Sequence, residues 1–181
     1  MQKDKTLEEI KKFWPKDAPS IESVPRYVEK YKKELIVIKY GGNVLIDRNI
    51  FDNFIEDISI LNKLGLSIIV VHGGGPRIER ELKKQKIQSK FINGLRVTDH
   101  KVIKIVENVL IDFNNDIVKS LKKLGINAVS MHSKSNNVLN VQPDEKRLGF
   151  VGIPDKINTE AINKIIDLKQ TPIIAPLGLD S

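Results

Sequence analysis

The stretch Ile68-Ile69-Val70-Val71-His72-Gly73-Gly74-Gly75-Pro76 decides how the rest of the chain is read. Four consecutive β-branched residues suit a strand covered on both faces, and they run at once into residues that carry no Cβ. Glycine at 73, 74 and 75 lets backbone N–H groups come close to a ligand, and Pro76 suits the first helical position, where its missing donor costs little. A helix opening there adds unpaired N–H groups and a positive dipole end, so a carboxylate or a phosphate is the guest such a turn can hold. The triplet by itself is equally compatible with a tight strand-to-helix turn that holds nothing. No Gly-Lys-Ser/Thr follows it, and the glycines lack the spacing of a dinucleotide fingerprint.

A second glycine turn lies upstream. Leu35-Ile36-Val37-Ile38-Lys39 reads as another buried strand, and it ends in Lys39-Tyr40-Gly41-Gly42-Asn43. Ligands of open parallel sheets collect at the carboxyl ends of the strands, so two such loops would line one crevice. Lys39 can act there as a point charge on phosphoryl oxygens. A lysine that ends a strand is otherwise a solvated surface residue.

Between these strands, Phe51, Phe54, Ile55, Ile58, Leu61 and Leu64 recur at helical spacing and stop at Gly65, which completes a βαβ unit with a right-handed crossover. Beyond the glycines the pattern predicts a helix from Pro76 to about Lys86, then a helix capped by Thr98 with Val102, Ile105, Val106, Val109 and Phe113 on its apolar face. A strand over Ala128 to Met131 follows. The segments 138–141 and 148–152 read as a hairpin, Asn158 and Thr159 start a last helix, and Pro172 to Ala175 supply a last strand. The alternation is that of an α/β fold with a mainly parallel sheet.

Residues 1–33 read as a helical extension ahead of this unit, which occupies 34–181. Thr6 to Glu9 have the form of a capping box, and Leu7, Ile10, Phe13 and Trp14 put an apolar stripe on a short helix ending near Pro15. After a linker over 16–20, Ile21, Val24, Val28 and Tyr31 mark a second helix, with Pro25 in its first turn.

Arg96 falls just ahead of the helix start at Thr98. Two readings stand: a guanidinium that clamps a carboxylate through two parallel hydrogen bonds, or an exposed arginine paired with Asp99.

Composition narrows the partners. The 181 residues are 40% apolar, enough for one sizeable core, and carry a net charge of +7. The lysines are scattered, as at Lys83, Lys84 and Lys86 or Lys122 and Lys123, with no interleaved aromatic residues, which argues against nucleic acid and suits small anionic substrates. Without cysteine there is neither a disulfide nor a thiolate metal site, and His72, His100 and His132 are not spaced as a metal cluster. No apolar run reaches the length of a membrane span and the N-terminus has no apolar signal core, so a cytoplasmic location is expected.

Five segments together carry a family resemblance: Ile38 to Asn43, Val71 to Pro76, Asn93-Gly94-Leu95-Arg96-Val97-Thr98-Asp99, Leu148-Gly149-Phe150-Val151-Gly152 and Pro172 to Gly178. Over about residues 24–181 the chain resembles the amino-acid kinase family, and the Asn93 to Thr98 segment resembles its acetylglutamate kinases. The resemblance implies a three-layer α-β-α sandwich around an open, mainly parallel sheet. It also implies transfer of a phosphoryl group from Mg-ATP to the side-chain carboxylate of N-acetyl-L-glutamate, giving an acyl phosphate in arginine biosynthesis. By matching positions, Lys39 would stabilise the transferring group, Gly41 and Gly42 would cradle it, Gly74 and Gly75 would contact the acetylated amino acid, and Arg96 would bind its α-carboxylate. The segment 148–152 resembles a hairpin that covers the substrate in relatives; its alternative is an ordinary hairpin with glycine bulges.

Members of the family continue past the segment matching 172–181 into an Asn-x-Asn-Ala-Asp motif, a site-organising aspartate, a second lysine and most of the ATP-binding half. The expectation is therefore a substrate-binding half, inactive alone and without the adenine site. Arginine-inhibited kinases resemble this chain in an extra N-terminal helix that joins dimers into a ring. That makes a homo-oligomer with arginine as feedback effector one expectation, and a helix folded back on its own domain the other. Two other functions fit the same residues: the kinase-like regulatory domain of an acetylglutamate synthase, and a non-catalytic amino-acid-binding or assembly module.

Overall fold

The computed structural model describes residues 8, 10–11, 14, 16–41, 47–144 and 147–180. Its centre is a four-stranded parallel sheet made of β1 (Leu35–Tyr40), β2 (Ser67–His72), β5 (Ala128–Met131) and β8 (Thr171–Ile174), in the spatial order β1-β2-β8-β5. Leu35 lies beside Ser67 and Tyr40 beside His72, so the two glycine turns leave the sheet at the same level.

Alternation along β2 sends its residues into two cores, as a period of two requires. Ile68 and Val70 pack with Tyr40, Ile173 and the apolar faces of α2 (Arg48–Lys63) and α4 (His100–Lys123), including Phe51, Ile55, Phe113 and Ile117. Ile69 and Val71 face the other way, onto Met131, Val138 and Ile162 of α5 (Thr159–Asp167). Helices thus cover both faces, giving the expected three layers. A third cluster joins Ile78 and Leu82 of α3 (Gly75–Lys84) to Val102 and Leu110 of α4 and to Ala175 and Leu177. The N-terminal part contains a 3₁₀ turn over Ile21–Ser23 and α1 (Val24–Tyr31), with Pro25 in its first turn.

Several expectations change in detail. β1 is an edge strand, so only Ile36, Ile38 and Tyr40 face the core, while Leu35 and Val37 are exposed, Val37 at 61%. An unbroken apolar run reads alike whether both faces are covered or one. The helix after the triplet starts at Gly75, with Gly74 as its N-cap and Pro76 one position further in than expected. Asp99, not Thr98, caps α4: its carboxylate accepts from Lys101 N and Val102 N, both at 2.9 Å. Thr98 is otherwise engaged, with its hydroxyl on the Arg96 carbonyl at 3.1 Å. β6 (Leu139–Pro143) pairs antiparallel with β7 (Gly152–Ile157), so the return strand of the hairpin begins where 148–152 was expected to end it. β9 (Leu179–Asp180) adds a parallel edge to β6.

A short hairpin, β3 (Phe91–Ile92) and β4 (Leu95–Arg96), was not foreseen; Asn93 and Gly94 at its tip have φ of 49° and 79°, as a tight two-residue turn demands. Thr6 and Glu9 of the capping box, Leu7, Phe13, Gly42 and Asn43 lie outside the described residues. Ile10 is only 2% exposed, and the Trp14 indole N–H donates to the Pro19 carbonyl at 2.8 Å. Both residues are thus engaged by their own chain.

Candidate functional site

The two glycine turns are stitched together at their start. Gly73 N–H donates to the Tyr40 carbonyl at 2.8 Å, which spends that donor on structure. Gly74 and Gly75 then carry the N–H groups at the start of α3, since Pro76 has none and a helix leaves its first donors unpaired by its own carbonyls. Gly74 is buried, and a Cβ there would meet Leu110 Cδ2 at 2.4 Å, so any side chain at this position would have to displace the Leu110 methyl. Gly75 is exposed and has open space where a Cβ would stand. On the neighbouring strand, exposed Lys39 lies beside Gly41: a Cβ on Gly41 would sit 3.5 Å from Lys39 Cε.

Beneath the triplet lies a buried polar network that the sequence reading did not identify. His72, 2% exposed, donates from Nδ1 to the Gly73 carbonyl at 2.9 Å, and its Nε2 accepts from Asn114 Nδ2 at 3.1 Å. These partners assign a neutral ring with its proton on Nδ1. Asn114 also donates to the Ile173 carbonyl at 2.9 Å and accepts from Ser130 Oγ at 2.6 Å. Burial, helped by the positive charge of Arg77 and opposed by the hydrogen bond to Gly73, brings the His72 pKa down to about 4. The ring thus supports the triplet as a neutral strut joining β2, α4 and β8.

An open cleft of ≈ 700 Å³ lies along the first turns of α3, lined by Gly75, Pro76, Glu79, Arg80, Lys83, Phe91 and Arg96. It brings together two of the residues singled out from sequence, Gly75 and Arg96. Lys39 and Gly41 sit at the end of β1 and are not part of its lining. The Arg96 side chain is only 14% exposed, and its partner is Glu79, not Asp99: Nη1 donates to Glu79 Oε2 at 2.9 Å. The same nitrogen bonds Ser89 Oγ, Ser89 Oγ donates to Glu79 Oε2 at 2.6 Å, and the guanidinium carbon lies 4.7 Å from the centre of the Phe91 ring. Hydrogen bonds from Ser89 and Arg96 hold the Glu79 carboxyl below its ordinary range. Three cations and one carboxylate line this cleft, which suits an anionic guest.

The segment expected to form a lid is docked on Thr98, two residues after Arg96. Leu148 is fully buried, Thr98 N–H donates to its carbonyl at 2.7 Å, and Phe150 N–H donates to the Thr98 carbonyl at 2.7 Å. Phe150 also packs edge-on against His100 at 4.5 Å.

Residues 34–181 match the model of the amino acid kinase family. An acetylglutamate kinase from Pelagibacter ubique is 51% identical over 96% of this chain and 60% of its own length. One from Caldanaerobacter subterraneus subsp. tengcongensis is 41% identical over 87% of this chain and 54% of its own. The chain therefore spans somewhat over half the length of these relatives. Among solved structures, N-acetylglutamate synthase from Neisseria gonorrhoeae, complexed with coenzyme A and N-acetyl-glutamate, superposes with a TM-score of 0.76 over 88% of this chain and 37% of that chain. At 20% identity that likeness concerns the fold alone.

Proposed function

The chain belongs to the amino acid kinase family, and from that premise we propose that it serves an acetylglutamate kinase, which phosphorylates the side-chain carboxylate of N-acetyl-L-glutamate in arginine biosynthesis. The observation that carries this reading is the Arg96 guanidinium, largely buried and fixed at the wall of a cationic cleft that Gly75 also lines. Kinase relatives at 51% and 41% identity favour it over the regulatory domain of a synthase, for which the structural likeness is at 20% identity.

In the proposed reaction a side-chain carboxylate oxygen attacks the γ-phosphorus of ATP, the bond to the bridging β–γ oxygen breaks, and an acyl phosphate and ADP result. Such transfer depends mainly on alignment and on neutralising charge. Arg96 takes the α-carboxylate, and the Gly74 and Gly75 turn holds the acetylated amino acid. Lys39 is assigned to the transferring phosphoryl group, to which a compact ammonium offers a point charge, with Gly41 and Gly42 as its cradle. Magnesium, held mainly by the phosphates of the nucleotide, would supply charge neutralisation there. A cytoplasmic location, a homo-oligomeric state and arginine as a feedback effector belong to the same proposal. No helix among the described residues is long and apolar enough to cross a membrane.

Calorimetric titration with N-acetyl-L-glutamate, beside free glutamate and beside a folded Arg96→Ala variant, tests the substrate. Saturable binding that prefers the acetylated ligand and disappears in the variant is expected. Equal affinity for both ligands, or binding that survives Arg96→Ala, would rule out the assignment.

A further inference from the structure

Arg96 is the one residue of the proposed site whose side chain the fold has already immobilised, and the manner of its immobilisation has a direction. Its Nη1 is used twice, by Glu79 Oε2 and by Ser89 Oγ, while Ser89 Oγ also donates to Glu79, which closes a triangle of three groups. The Phe91 ring covers the guanidinium from one side. Among the described residues no hydrogen bond or ion pair engages Nε or Nη2, and the side chain lines the cleft. A guanidinium presents its donors as a rigid planar fork, so holding one nitrogen sets the direction of the others.

We propose that Glu79 is a positioning residue for carboxylate recognition: it holds Arg96 by Nη1 so that the Nε and Nη2 edge remains for a ligand carboxylate. The proposal rests on the reading that Arg96 binds the α-carboxylate of N-acetylglutamate. An arginine loses much rotamer freedom when it clamps a ligand, and one already fixed in the free protein loses less on binding. Glu79 reaches Arg96 from the second turn of α3, whose first residue is Gly75, so one helix carries both a glycine of the cleft lining and the carboxylate that holds the guanidinium there. A carboxylate that merely competed with the ligand would instead occupy the two-nitrogen edge.

The test compares the wild-type chain with Glu79→Ala and Glu79→Gln, titrated calorimetrically with N-acetyl-L-glutamate and with its α-carboxamide analogue. Loss of a charge-assisted bond should raise the Kd of Glu79→Ala for N-acetylglutamate by about tenfold and leave the carboxamide within about twofold. Glu79→Gln keeps an acceptor oxygen at the same reach and should stay within about threefold of wild type. A Kd that is unchanged or tighter in Glu79→Ala, or a loss equal for both ligands, overturns the proposal, because a general loss of stability would not distinguish the ligands. Side-chain ¹⁵N NMR of Arg96, assigned by its absence in Arg96→Lys, reads the positioning without any ligand. Restricted rotation of the guanidinium is expected in wild type and Glu79→Gln and free averaging in Glu79→Ala. If wild type binds no N-acetylglutamate but this signature follows Glu79, the substrate reading fails and the positioning stands. If Glu79→Ala keeps the wild-type signature, the proposal fails whatever the ligand.

Discussion

Gly149 is fastened to Thr98 by main-chain bonds on either side of it: Thr98 N–H donates to the Leu148 carbonyl and Phe150 N–H donates to the Thr98 carbonyl, each at 2.7 Å. Thr98 in turn holds the Arg96 carbonyl through its hydroxyl. Arg96 is thus secured at its side chain by Glu79 and at its main chain by Thr98, which is itself fastened to the loop that joins β6 and β7. A loop otherwise free to move becomes part of the frame of the cleft.

Gly149→Ala should therefore be among the more damaging substitutions in the chain. The residue has φ of +73°, and an added Cβ would lie 2.2 Å from the Thr98 carbonyl oxygen, a main-chain atom that no rotamer change can remove. Left-handed strain and the clash together are expected to lower stability by about 2–4 kcal/mol. Urea unfolding checks this, and a midpoint equal to wild type would show that the loop relaxes without penalty.

Gly74→Ala and Gly75→Ala should separate packing from binding within one turn. A methyl on Gly74 meets Leu110 Cδ2 at 2.4 Å and Ile78 Cδ1 at 3.3 Å, in a core where overpacking costs about 1–3 kcal/mol. A methyl on Gly75 meets nothing within 4 Å, so stability should stay within about 0.5 kcal/mol while affinity for N-acetylglutamate falls, because Gly75 lines the cleft. Unfolding and binding measured on both variants decide it; equal loss of stability in the two would contradict the packing argument.

What the sequence made legible was local. The strand over Ala128–Met131, the helix ending at Gly65 and the Asn158 cap follow from apolar spacing and from turn and cap chemistry a few residues away. The β3–β4 hairpin was missed although Asn93-Gly94 is a strong turn signal, because strands of two residues give no alternation to read. The partners of the site residues were not legible, since they are set by long-range packing. Arg96 meets Glu79 across 17 positions, and Asn114 meets His72 across 42. Asn114 did leave a trace, as the polar residue among Leu110, Phe113, Ile117 and Leu121 on the buried face of α4. A fully buried amide in an apolar stripe needs a partner, and that requirement points to a network.

The edge position of β1 makes a contrast that run-length in the sequence does not. Ile68→Ala, on a residue 3% exposed in the main core, is expected to cost about 2–5 kcal/mol. Val37→Ala, on the adjoining strand but facing outward, should cost less than about 1 kcal/mol. Denaturant midpoints of the pair test it, and a large loss at Val37 would mean that the outer face of β1 is covered in solution.

His72 gives the fold an acid-sensitive strut. Burial holds its pKa at about 4 against an ordinary 6.5, so between those values the unfolded chain binds more protons than the folded one. The stability that comes from keeping the ring neutral is complete above the unfolded value and is lost as pH falls through the folded one. Protonation would place a cation on Nε2, which now accepts from Asn114, and Arg77 adds repulsion. Between about pH 7 and about pH 4.5, the unfolding free energy of wild type should fall by about 2 kcal/mol more than that of His72→Gln, which has no proton to take up. The carboxylates titrate in both proteins and cancel in the comparison. Parallel pH profiles would place the acid sensitivity elsewhere, whereas a flatter profile in the variant locates it at the ring beneath the glycine triplet.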